Sequence, residues 1–413
     1  MFFILTSQSH SPPPQPQDLS LLLMRVHFGS GTSLIDDLFV DRGHDLKSLE
    51  YLVGMRCVLF RAPLISLIHN DLDPQDADTW RSMRISKRPS SAHFCRTSER
   101  RMKFKASLTN HGIQILEKRF LQALDKIGKT WHIYLTPDHF IFLHNLLSFD
   151  GIQSVAQFAK QALFSDYRIA SQTGNRIAFT LDLPLFYSAL RGSASVCAAG
   201  RANGVHVRLA KKQTNSNGPN MPFLTFETQG GNSTVIHDVP ISSPLSPGDI
   251  MELQSALENA QEIPATLVQV PNLAKMQNFV ERHKNIGDIL KVSVTQYGDL
   301  LIEVATTLAV AGAAYCNLGV LGVHVDAPAE SQAMKVRARM ELALERGEAL
   351  SAELKLKHFA KSLQCCLSEP DSAFLGIAPQ AGCLTVIFQF FIPGTHQTDK
   401  SISLHCRLPV LET

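Results

Sequence analysis

The sequence has few of the features that mark secreted, metal-bound or membrane-spanning proteins. Its 8 cysteines are scattered and no two form a C-x-x-C pair, a pattern that indicates reduced thiols in an intracellular protein. The longest apolar run, 308–323, is interrupted by Asn317 and is shorter than the ~18 residues that a membrane-spanning helix needs. Residues 1–6 are apolar but have no basic flank and no small-residue cleavage site. We therefore predict no secretory signal and no membrane partner.

An excess of charge of one sign is also lacking. The chain has 39 Lys and Arg against 37 Asp and Glu, for a formal net charge of +2. A near-neutral protein cannot bind nucleic acid through its overall charge, so such binding would require basic side chains gathered on one surface. The length of 413 residues, with 45% hydrophobic content, predicts two or three domains with cores of ordinary size.

Sequence signals of catalysis are sparse as well. The stretch 123–130 reads A-x-x-x-x-G-K-T and is close to a phosphate-binding loop, but it ends a predicted helix, whereas that loop must open one. Cys365 and Cys366 would point about 100° apart on a predicted helix, which favours two core thiols over a metal site. We therefore predict no catalytic residue, no cofactor and no metal. A site assembled from distant residues would leave no such signal.

What the sequence does contain is an internal duplication. Four residues recur 159 positions later, where Phe120, Ile127, Gly128 and Thr136 match Phe279, Ile286, Gly287 and Thr295. A second set recurs after 173 positions, where Leu183, Phe186 and Leu190 match Leu356, Phe359 and Leu363. A period of this length is the size of a domain and is far longer than a solenoid repeat. The chain is thus predicted to hold two similar domains in tandem.

Hydrophobic periodicity predicts the same order of elements in both copies. Each copy has two helices among strands of alternating pattern, predicted at 111–127, 184–196, 273–286 and 356–367. This gives an α+β fold of mostly antiparallel sheet. We predict a first domain at 102–241, an interdomain linker at 242–263 and a second domain at 264–413.

Residues 1–101 differ from the rest because they show no sustained periodicity. They include a Pro-rich stretch at 11–16 and an Arg- and Ser-rich one at 81–101, a composition typical of a disordered extension. Two alternatives stay open. Translation could begin at Met102, or the region could act in targeting, either as a transit segment or through the basic tract 81–88 in nuclear import.

Basic side chains recur on the predicted solvent-facing sides of the helices. They are Lys118, Arg119, Lys126 and Lys129 on the first helix, Arg191 on the second, Lys275, Arg282 and Lys284 on the third, and Lys355, Lys357 and Lys361 at the fourth. One such stripe alone is the ordinary solvated face of a helix. Recurrence across duplicated domains of a near-neutral chain favours contacts with DNA phosphates, which position a duplex without reading its sequence.

Several runs of sequence resemble the Hus family of checkpoint sliding-clamp subunits. These runs are Met102-Lys-Phe-Lys-Ala, His237-Asp-Val-Pro-Ile241, Val270-Pro-Asn-Leu-Ala-Lys-Met with Val280-Glu and Lys284-Asn-Ile286, Gly298-Asp-Leu-Leu-Ile-Glu-Val304, and Phe391-Ile-Pro393. The likeness covers 102–413, and the order and spacing of the runs agree with the internal duplication. Residues 1–101 have no counterpart in it.

The resemblance implies two tandem domains similar to those of proliferating-cell nuclear antigen, with antiparallel sheets outside and four helices lining a central hole. It also implies a non-catalytic subunit that forms a heterotrimeric ring with two Rad-type subunits in the nucleus. A clamp loader would place this ring on double-stranded DNA or at a primer-template junction, without sequence specificity. The ring would then recruit checkpoint signalling and repair factors. Encirclement needs only weak phosphate contacts, which suits a near-neutral chain.

Subunits of such rings join through the edges of their sheets, so the resemblance predicts two interface strands. One is 234–241, with Thr234, Val235, Ile236 and Val239, and the other is 335–345, with Val336, Ala338, Met340 and Leu342. An edge strand without a partner invites aggregation. We therefore expect the subunit to be unstable alone.

The linker carries Ile250, Leu253 and Leu257 at helical spacing. In clamps this connecting segment borders the pocket for partner peptides, so the resemblance predicts that these three residues contribute to such a pocket. A passive tether is the alternative. For the whole chain, the competing prediction is a β-rich enzyme or scaffold that does not encircle DNA and does not associate with two related proteins.

Overall fold

The computed structural model describes residues 102–148, 150–198, 202–213, 219–230, 234–306, 309–323, 325, 328, 334–378 and 382–411. These residues belong to one compact unit. The predictions made for residues 1–101, namely a disordered extension, a translation start at Met102 that would exclude them, and a targeting role, lie outside the described residues.

The strands follow the predicted pattern closely. In chain order they are β1 (Lys103–Leu108), β2 (Thr130–Leu135), β3 (His139–His144), β4 (Gln153–Ala159), β5 (Phe164–Ala170), β6 (Ile177–Asp182), β7 (Ala202–Gln213), β8 (Asn220–Gly230), β9 (Thr234–Pro240), β10 (Thr266–Gln269), β11 (Ile289–Thr295), β12 (Leu300–Ala305), β13 (Val310–Tyr315), β14 (Val320–Gly322), β15 (Ala349–Lys355), β16 (Ser372–Ala378), β17 (Cys383–Gln389) and β18 (Ile402–Pro409).

The four predicted helices are present, and further helices lie between the strands. Helix α1 is continuous through Asn110–Gln114, a π-helical turn at Ile115–Phe120, and Leu121–Ile127. The others are α2 (Lys160–Leu163), α3 (Leu183–Ala198), α4 (Pro247–Ala260), α5 (Leu273–His283), α6 (Val336–Glu345) and α7, which runs from Leu356–Ser362 into a 3₁₀ segment at Leu363–Ser368.

Local chemistry explains where α1 begins and ends. The Thr109 hydroxyl accepts a hydrogen bond from the backbone N–H of Gly112 at 2.9 Å, which satisfies one of the donors that a helix start leaves unpaired. The helix ends at Gly128, where a Cβ would lie 2.2 Å from the His144 ring. The stretch 123–130 therefore runs from helix to strand, the reverse of the order that a phosphate-binding loop requires.

The described strands form three antiparallel sheets. A five-stranded sheet has the order β5-β1-β7-β8-β9, and a four-stranded sheet has the order β13-β12-β11-β15. Between them lies a nine-stranded sheet in which β14, β10, β16, β17 and β18 of the second copy continue into β4, β3, β2 and β6 of the first. The two copies are joined where β18 pairs with β4, from Ile402 opposite Phe158 to Arg407 opposite Gln153.

The order of elements repeats along the chain, as the duplication predicts. One strand, a long helix, five strands interrupted by a further helix, a later helix and three final strands occur first from β1 to β9 and again from β10 to β18. Helix α3 packs on β7, β8 and β9, and α7 packs on β11, β15 and β18. The predicted α+β class with antiparallel sheets is confirmed, whereas the exact domain boundaries stay a prediction.

One aromatic cluster packs the two copies together above the β4–β18 pairing. The ring of Phe120 on α1 lies 4.8 Å from that of Phe158 on β4 and 5.1 Å from that of Phe390, which follows β17. All three rings are buried. Aromatic pairs in such orientations stabilise a core by more than the area that they bury. These contacts therefore hold α1 against both copies.

The linker is a helix, and the three residues predicted to contribute to a partner-peptide pocket lie on its buried side. Ile250, Leu253 and Leu257 are at most 3% exposed and pack on the sheet residues Tyr134, Ile141, Leu143, Val155 and Ala178 and on Leu146 in the turn after β3. The helical spacing is confirmed, but it serves to bury these side chains against the first copy. They are therefore not available to a partner peptide, and the segment is more than a passive tether.

The second predicted interface strand is also wrong, because Lys335–Glu345 forms helix α6. Alternation of Val336, Ala338, Met340 and Leu342 suggested a strand, yet the residues between them are strong helix formers. Met340 and Ala343 instead lie on one helical face and pack on Tyr297, Leu301 and Ala349.

A buried ion pair fixes α6 to the sheet. The Arg339 guanidinium donates to the two Asp299 carboxylate oxygens at 2.5 and 2.7 Å. Both residues are nearly fully buried, so removal of either partner would leave an uncompensated charge.

We predict that Leu253→Ala lowers the free energy of unfolding by about 2–5 kcal/mol, since it opens a cavity under α4. Urea denaturation of the full chain would measure this change. The matched control is Met251→Ala on the same helix, because Met251 is 74% exposed and its loss should change stability by no more than ~0.5 kcal/mol. Equal effects of the two substitutions would contradict the packing of α4 described above.

Candidate nucleic-acid interface

Four helices from the two copies contact one another in the order α3, α1, α7, α5. We call them the helix row. Two of its members come from the first copy and two from the second, at equivalent places in the repeat. The contact between α1 and α7, at its centre, crosses the seam where β4 pairs with β18.

The exposed side of α1 follows directly from its sequence. Buried residues recur at helical spacing, so the opposite side is left to solvent and carries His111, Gln114, Lys118, Gln122 and Lys126. On the other three helices the residues at corresponding exposed positions include Arg191, Lys275, Arg282, Lys357 and Lys361. A single amphipathic pattern per helix thus produces the basic side of the row.

The structure leaves most of the predicted cations exposed. They are Lys118, Lys126, Lys129, Arg191, Lys275, Arg282, Lys284, Lys355, Lys357 and Lys361. Two of them have local partners: the Lys129 ammonium lies 2.8 Å from the Asp125 carboxylate, and the Lys284 ammonium lies 2.6 Å from Glu281. Exposed pairs of this kind are worth little and can exchange for a phosphate contact.

Carboxylates are scarce on the same helices. The helix row contains Glu117, Asp125 and Glu281, of which Glu281 is exposed and the other two are half-buried. Helices α4 and α6 instead carry exposed carboxylates at Asp249, Glu252, Glu258, Glu341 and Glu345. Helices α4 and α6 pack on sheet residues that alternate along each strand with the residues packed toward the helix row. Because successive side chains of a strand point to opposite faces, α4 and α6 lie on the opposite side of the sheets from the helix row. A near-neutral chain thereby separates its charges onto two faces.

Arg119 has a different role from the one predicted. Its guanidinium donates to the carbonyl oxygens of Ser368 and Glu369 at 3.1 and 3.0 Å, and its Cζ lies 5.4 Å from the ring centroid of Phe390. It therefore satisfies carbonyls at the end of α7 and ties the two copies together. The signal in sequence was slight, because only the neighbouring apolar residues distinguish Arg119 from the exposed Lys118.

One predicted interface strand is present at a sheet edge. Among the described strands, β9 pairs along its length with β8 alone. Thr234 and Ile236 are exposed and Val235 is half-buried, so these side chains are accessible at the edge, but Val239 is 1% exposed and belongs to the core.

The edge strands of the four-stranded sheet in the second copy are β13 and β15, and neither is the predicted strand 335–345. In the described part of the four-stranded sheet, β13 pairs only with β12, and Val310 at its start is 55% exposed. This strand matched the periodicity of the sequence, but its many small residues gave no sign that it lies at an edge.

Other kinds of site find little support in the described ranges. No group of three or more His, Cys, Asp or Glu in them could hold a metal ion. The Cys365 and Cys406 sulfurs lie 3.7 Å apart in the core, and both cysteines are free thiols. No helix of the described chain is long and apolar enough to cross a membrane.

A comparison with models of known protein families finds a match over most of the described chain. The family model described as Hus1-like protein matches residues 102–396. The chain belongs to the Hus1-like protein family. The match starts at Met102, where the described part of the chain also starts, and it covers the first copy and most of the second copy.

Curated relatives carry the same family name. The chain is 28% identical over 231 residues to a protein named checkpoint protein hus1 homolog from Dictyostelium discoideum, covering 55% of this chain and 79% of that one. It is 27% identical over 208 residues to checkpoint protein hus1 of Schizosaccharomyces pombe (49% and 66% of the two chains). It is 22% identical over 225 residues to checkpoint protein HUS1 of Homo sapiens (53% and 75%).

Among solved structures, proliferating cellular nuclear antigen from Entamoeba histolytica is similar with a TM-score of 0.46 and 11% sequence identity, over 75% of this chain and 99% of that one. Membership in the Hus1-like family itself rests on the family-model match. With the sheets and helices described above, it confirms the predicted clamp fold and identifies the chain as a checkpoint clamp subunit.

We predict that Arg119→Ala lowers the free energy of unfolding by about 1–2 kcal/mol, because two carbonyl oxygens lose their donor and Phe390 loses a stacked cation. Lys118→Ala, one residue away and exposed, is the control and should leave stability within ~0.5 kcal/mol of the unsubstituted chain. Chemical denaturation would compare the two variants. An unchanged free energy of unfolding in Arg119→Ala would show that this contact does not hold the copies together.

Proposed function

We propose that this member of the Hus1-like family is one subunit of a heterotrimeric ring that encircles double-stranded DNA. Two related Rad-type subunits would complete the ring. The observation that carries the proposal is the charge of the helix row, where seven exposed cations within the bounds of the four helices meet a single exposed carboxylate, Glu281, in a chain of net charge +2. Helices of both copies contribute cations, as expected if the whole width of the subunit's helical face contacts the DNA.

The chemistry of this face suits a ring that slides. Lysines dominate it, and a lysine ammonium contacts phosphates as a point charge without fixing orientation or sequence. Contacts of this kind are weak and screened by salt. A ring closed around the duplex retains it through topology, so weak contacts suffice and do not stop movement along the DNA.

The edges of the sheets provide the joints of the proposed ring. In this arrangement β9 of the subunit pairs with an edge strand of one neighbour, and β13 pairs with an edge strand of the other. Pairing would satisfy the backbone groups that an edge leaves open and would cover the exposed side chains of Ile236 and Val310. The subunit would then depend on its neighbours for stability.

Partner proteins would bind the outer side of the ring. Ile250, Leu253 and Leu257 are buried, so checkpoint signalling and repair factors would meet the exposed surface of α4, with Met251 and its carboxylates, or surfaces of the neighbouring subunits. The subunit itself would act in the nucleus as a non-catalytic platform, and a clamp loader would open and close the ring.

We predict that replacing Lys118, Lys275 and Lys361 together with Glu weakens DNA retention without disturbing ring assembly. Three phosphate contacts are lost, so the slope of log K against log salt should fall by about 3. Equilibrium binding of the assembled ring to linear duplex DNA with free ends, at several salt concentrations, would measure this change, because a ring on circular DNA is held by topology whatever its phosphate contacts.

The control for this variant carries the same change of charge on other surfaces. Lys103 and Lys105 are exposed on β1, on the side opposite the core residue Phe104, and Lys335 is exposed beside α6. Substitution of these three lysines with Glu should leave the salt slope unchanged. Equal losses in the two triple variants would indicate a general charge effect and would remove the helix row as the DNA-binding surface.

We predict that Ile236→Asp prevents stable assembly, since a carboxylate would be buried against the neighbouring edge strand without a partner. The affinity for the neighbouring subunit should fall at least ~10-fold, equivalent to about 1.4 kcal/mol. Native mass measurement after co-expression with the two Rad-type subunits would detect the missing 1:1:1 complex. Met251→Asp, exposed on α4, should assemble normally. A normal trimer with Ile236→Asp would exclude β9 as a joint.

A further inference from the structure

A cavity of about 410 Å³ lies at the boundary between the two copies. Asp150 and Gly151, in the turn before β4, form one side. Lys355, Lys357 and His358, at the start of α7, form another, and Pro409 and Leu411 close it. Lys355 and Lys357 are also among the exposed cations described above, so this cavity adjoins the helix row at the start of α7.

The lining is built around cations. Two ammonium groups, those of Lys355 and Lys357, meet one carboxylate, that of Asp150, and Lys361 lies one helical turn further along α7. Neither lysine of the lining has a salt bridge within the described residues. The recess thus holds positive charge in a concave space, where electrostatic contacts are stronger than on an open surface.

His358 and Gly151 shape the floor of this recess. A Cβ at Gly151 would lie 3.9 Å from His358 Nε2, and the positive φ of Gly151, +109°, is one that residues with a side chain rarely adopt. The Nδ1 atom of His358 is buried and has no hydrogen-bond partner in the described part of the chain. The imidazole is therefore a polar group in the lining whose hydrogen-bonding capacity is not used up by the protein.

We propose that this cavity binds a phosphate group of the DNA backbone and so gives the ring one recessed anchor point at the seam of this subunit. The inference rests on the proposed function, because it assigns the cavity to the same DNA that the helix row would contact. A backbone phosphate carries a negative charge that complements the positive charge of the lysines, and its oxygens accept hydrogen bonds from their ammonium groups.

Protonation of His358 adds a signature that a purely structural role would not produce. Burial, and next the positive charges of Lys357, Lys355 and Lys361, lower the pKa of His358 from its usual value. Across the cavity the one carboxylate is Asp150. A bound phosphate would reverse this balance and raise the pKa of His358, so binding would take up a proton. DNA retention should then strengthen as pH falls from about 8 to 6, and His358→Gln should reduce that dependence.

The test uses the assembled trimer with inorganic pyrophosphate as the probe, measured by isothermal titration calorimetry. Lys357→Gln should weaken pyrophosphate binding about 10-fold because a charge-assisted contact is lost. Asp150→Asn should strengthen it, since it removes the carboxylate found in the lining among the described residues. Lys105→Gln, on the outer side of β1, is the control and should leave it unchanged.

DNA retention separates the possible outcomes. Lys357→Gln should reduce retention on linear duplex DNA with free ends more than Lys275→Gln, which removes a helix-row lysine outside the cavity. Unchanged pyrophosphate binding in Lys357→Gln would overturn the cavity as an anion site. If pyrophosphate binding falls but retention falls no further than in Lys275→Gln, the cavity serves another phosphorylated partner and the DNA assignment is wrong. A trimer that never retains DNA would instead refute the proposed function, whatever pyrophosphate does.

Discussion

The pairing of β4 with β18 is the interaction on which the rest of the structure depends. Six residue pairs along these strands turn two copies of one fold into a single sheet of nine strands. Because α1 and α7 are packed on the two halves of that sheet, the pairing also brings the helices of both copies side by side. Phe120 and Arg119 then use the proximity: one fills the space above the seam and the other ties α1 to the end of α7. Without this seam there would be two small domains and no continuous basic face.

The separation of charge is the second constraint. A chain of net charge +2 has little general affinity for DNA, so the arrangement of its charges must supply what their sum does not. The helix row collects cations, while the carboxylates of α4 and α6 lie on the outer side. Each helix contributes through an amphipathic pattern that its packing would require in any case. The basic face is therefore a by-product of where the helices sit, and the weak phosphate contacts that it would offer suit the proposed sliding ring.

Much of this could be predicted from the sequence, because the relevant information is local and repeated. The duplication at 159 and 173 residues, the four helices of the row and most strands follow from periodicity, and ten of eleven predicted cations are exposed. The errors have local causes too. At Val336–Leu342 an alternating pattern coincided with strong helix formers, and tertiary packing on Leu301 decided for a helix. At Ile250, Leu253 and Leu257 the helical spacing was correct, but no pattern tells whether an apolar stripe meets the protein's own sheet or a partner. Arg119 and the cavity beside His358 depend on residues more than 200 positions apart, which the periodicity of one segment cannot relate.

The linker helix α4 has a mechanical consequence. Near its C-terminal end the Gln261 side chain bonds Gln157 of β4, and the Asn259 carbonyl accepts a hydrogen bond from Arg407 of β18. Contacts of α4 on the outer side and of Arg119 on the inner side thus connect the two copies on both sides of the seam. Such a subunit bends poorly at its middle. In the proposed ring, any force that a loader applies would pass through this chain as through a rigid segment, and the gap would open at an edge strand, where only one layer of backbone hydrogen bonds must separate.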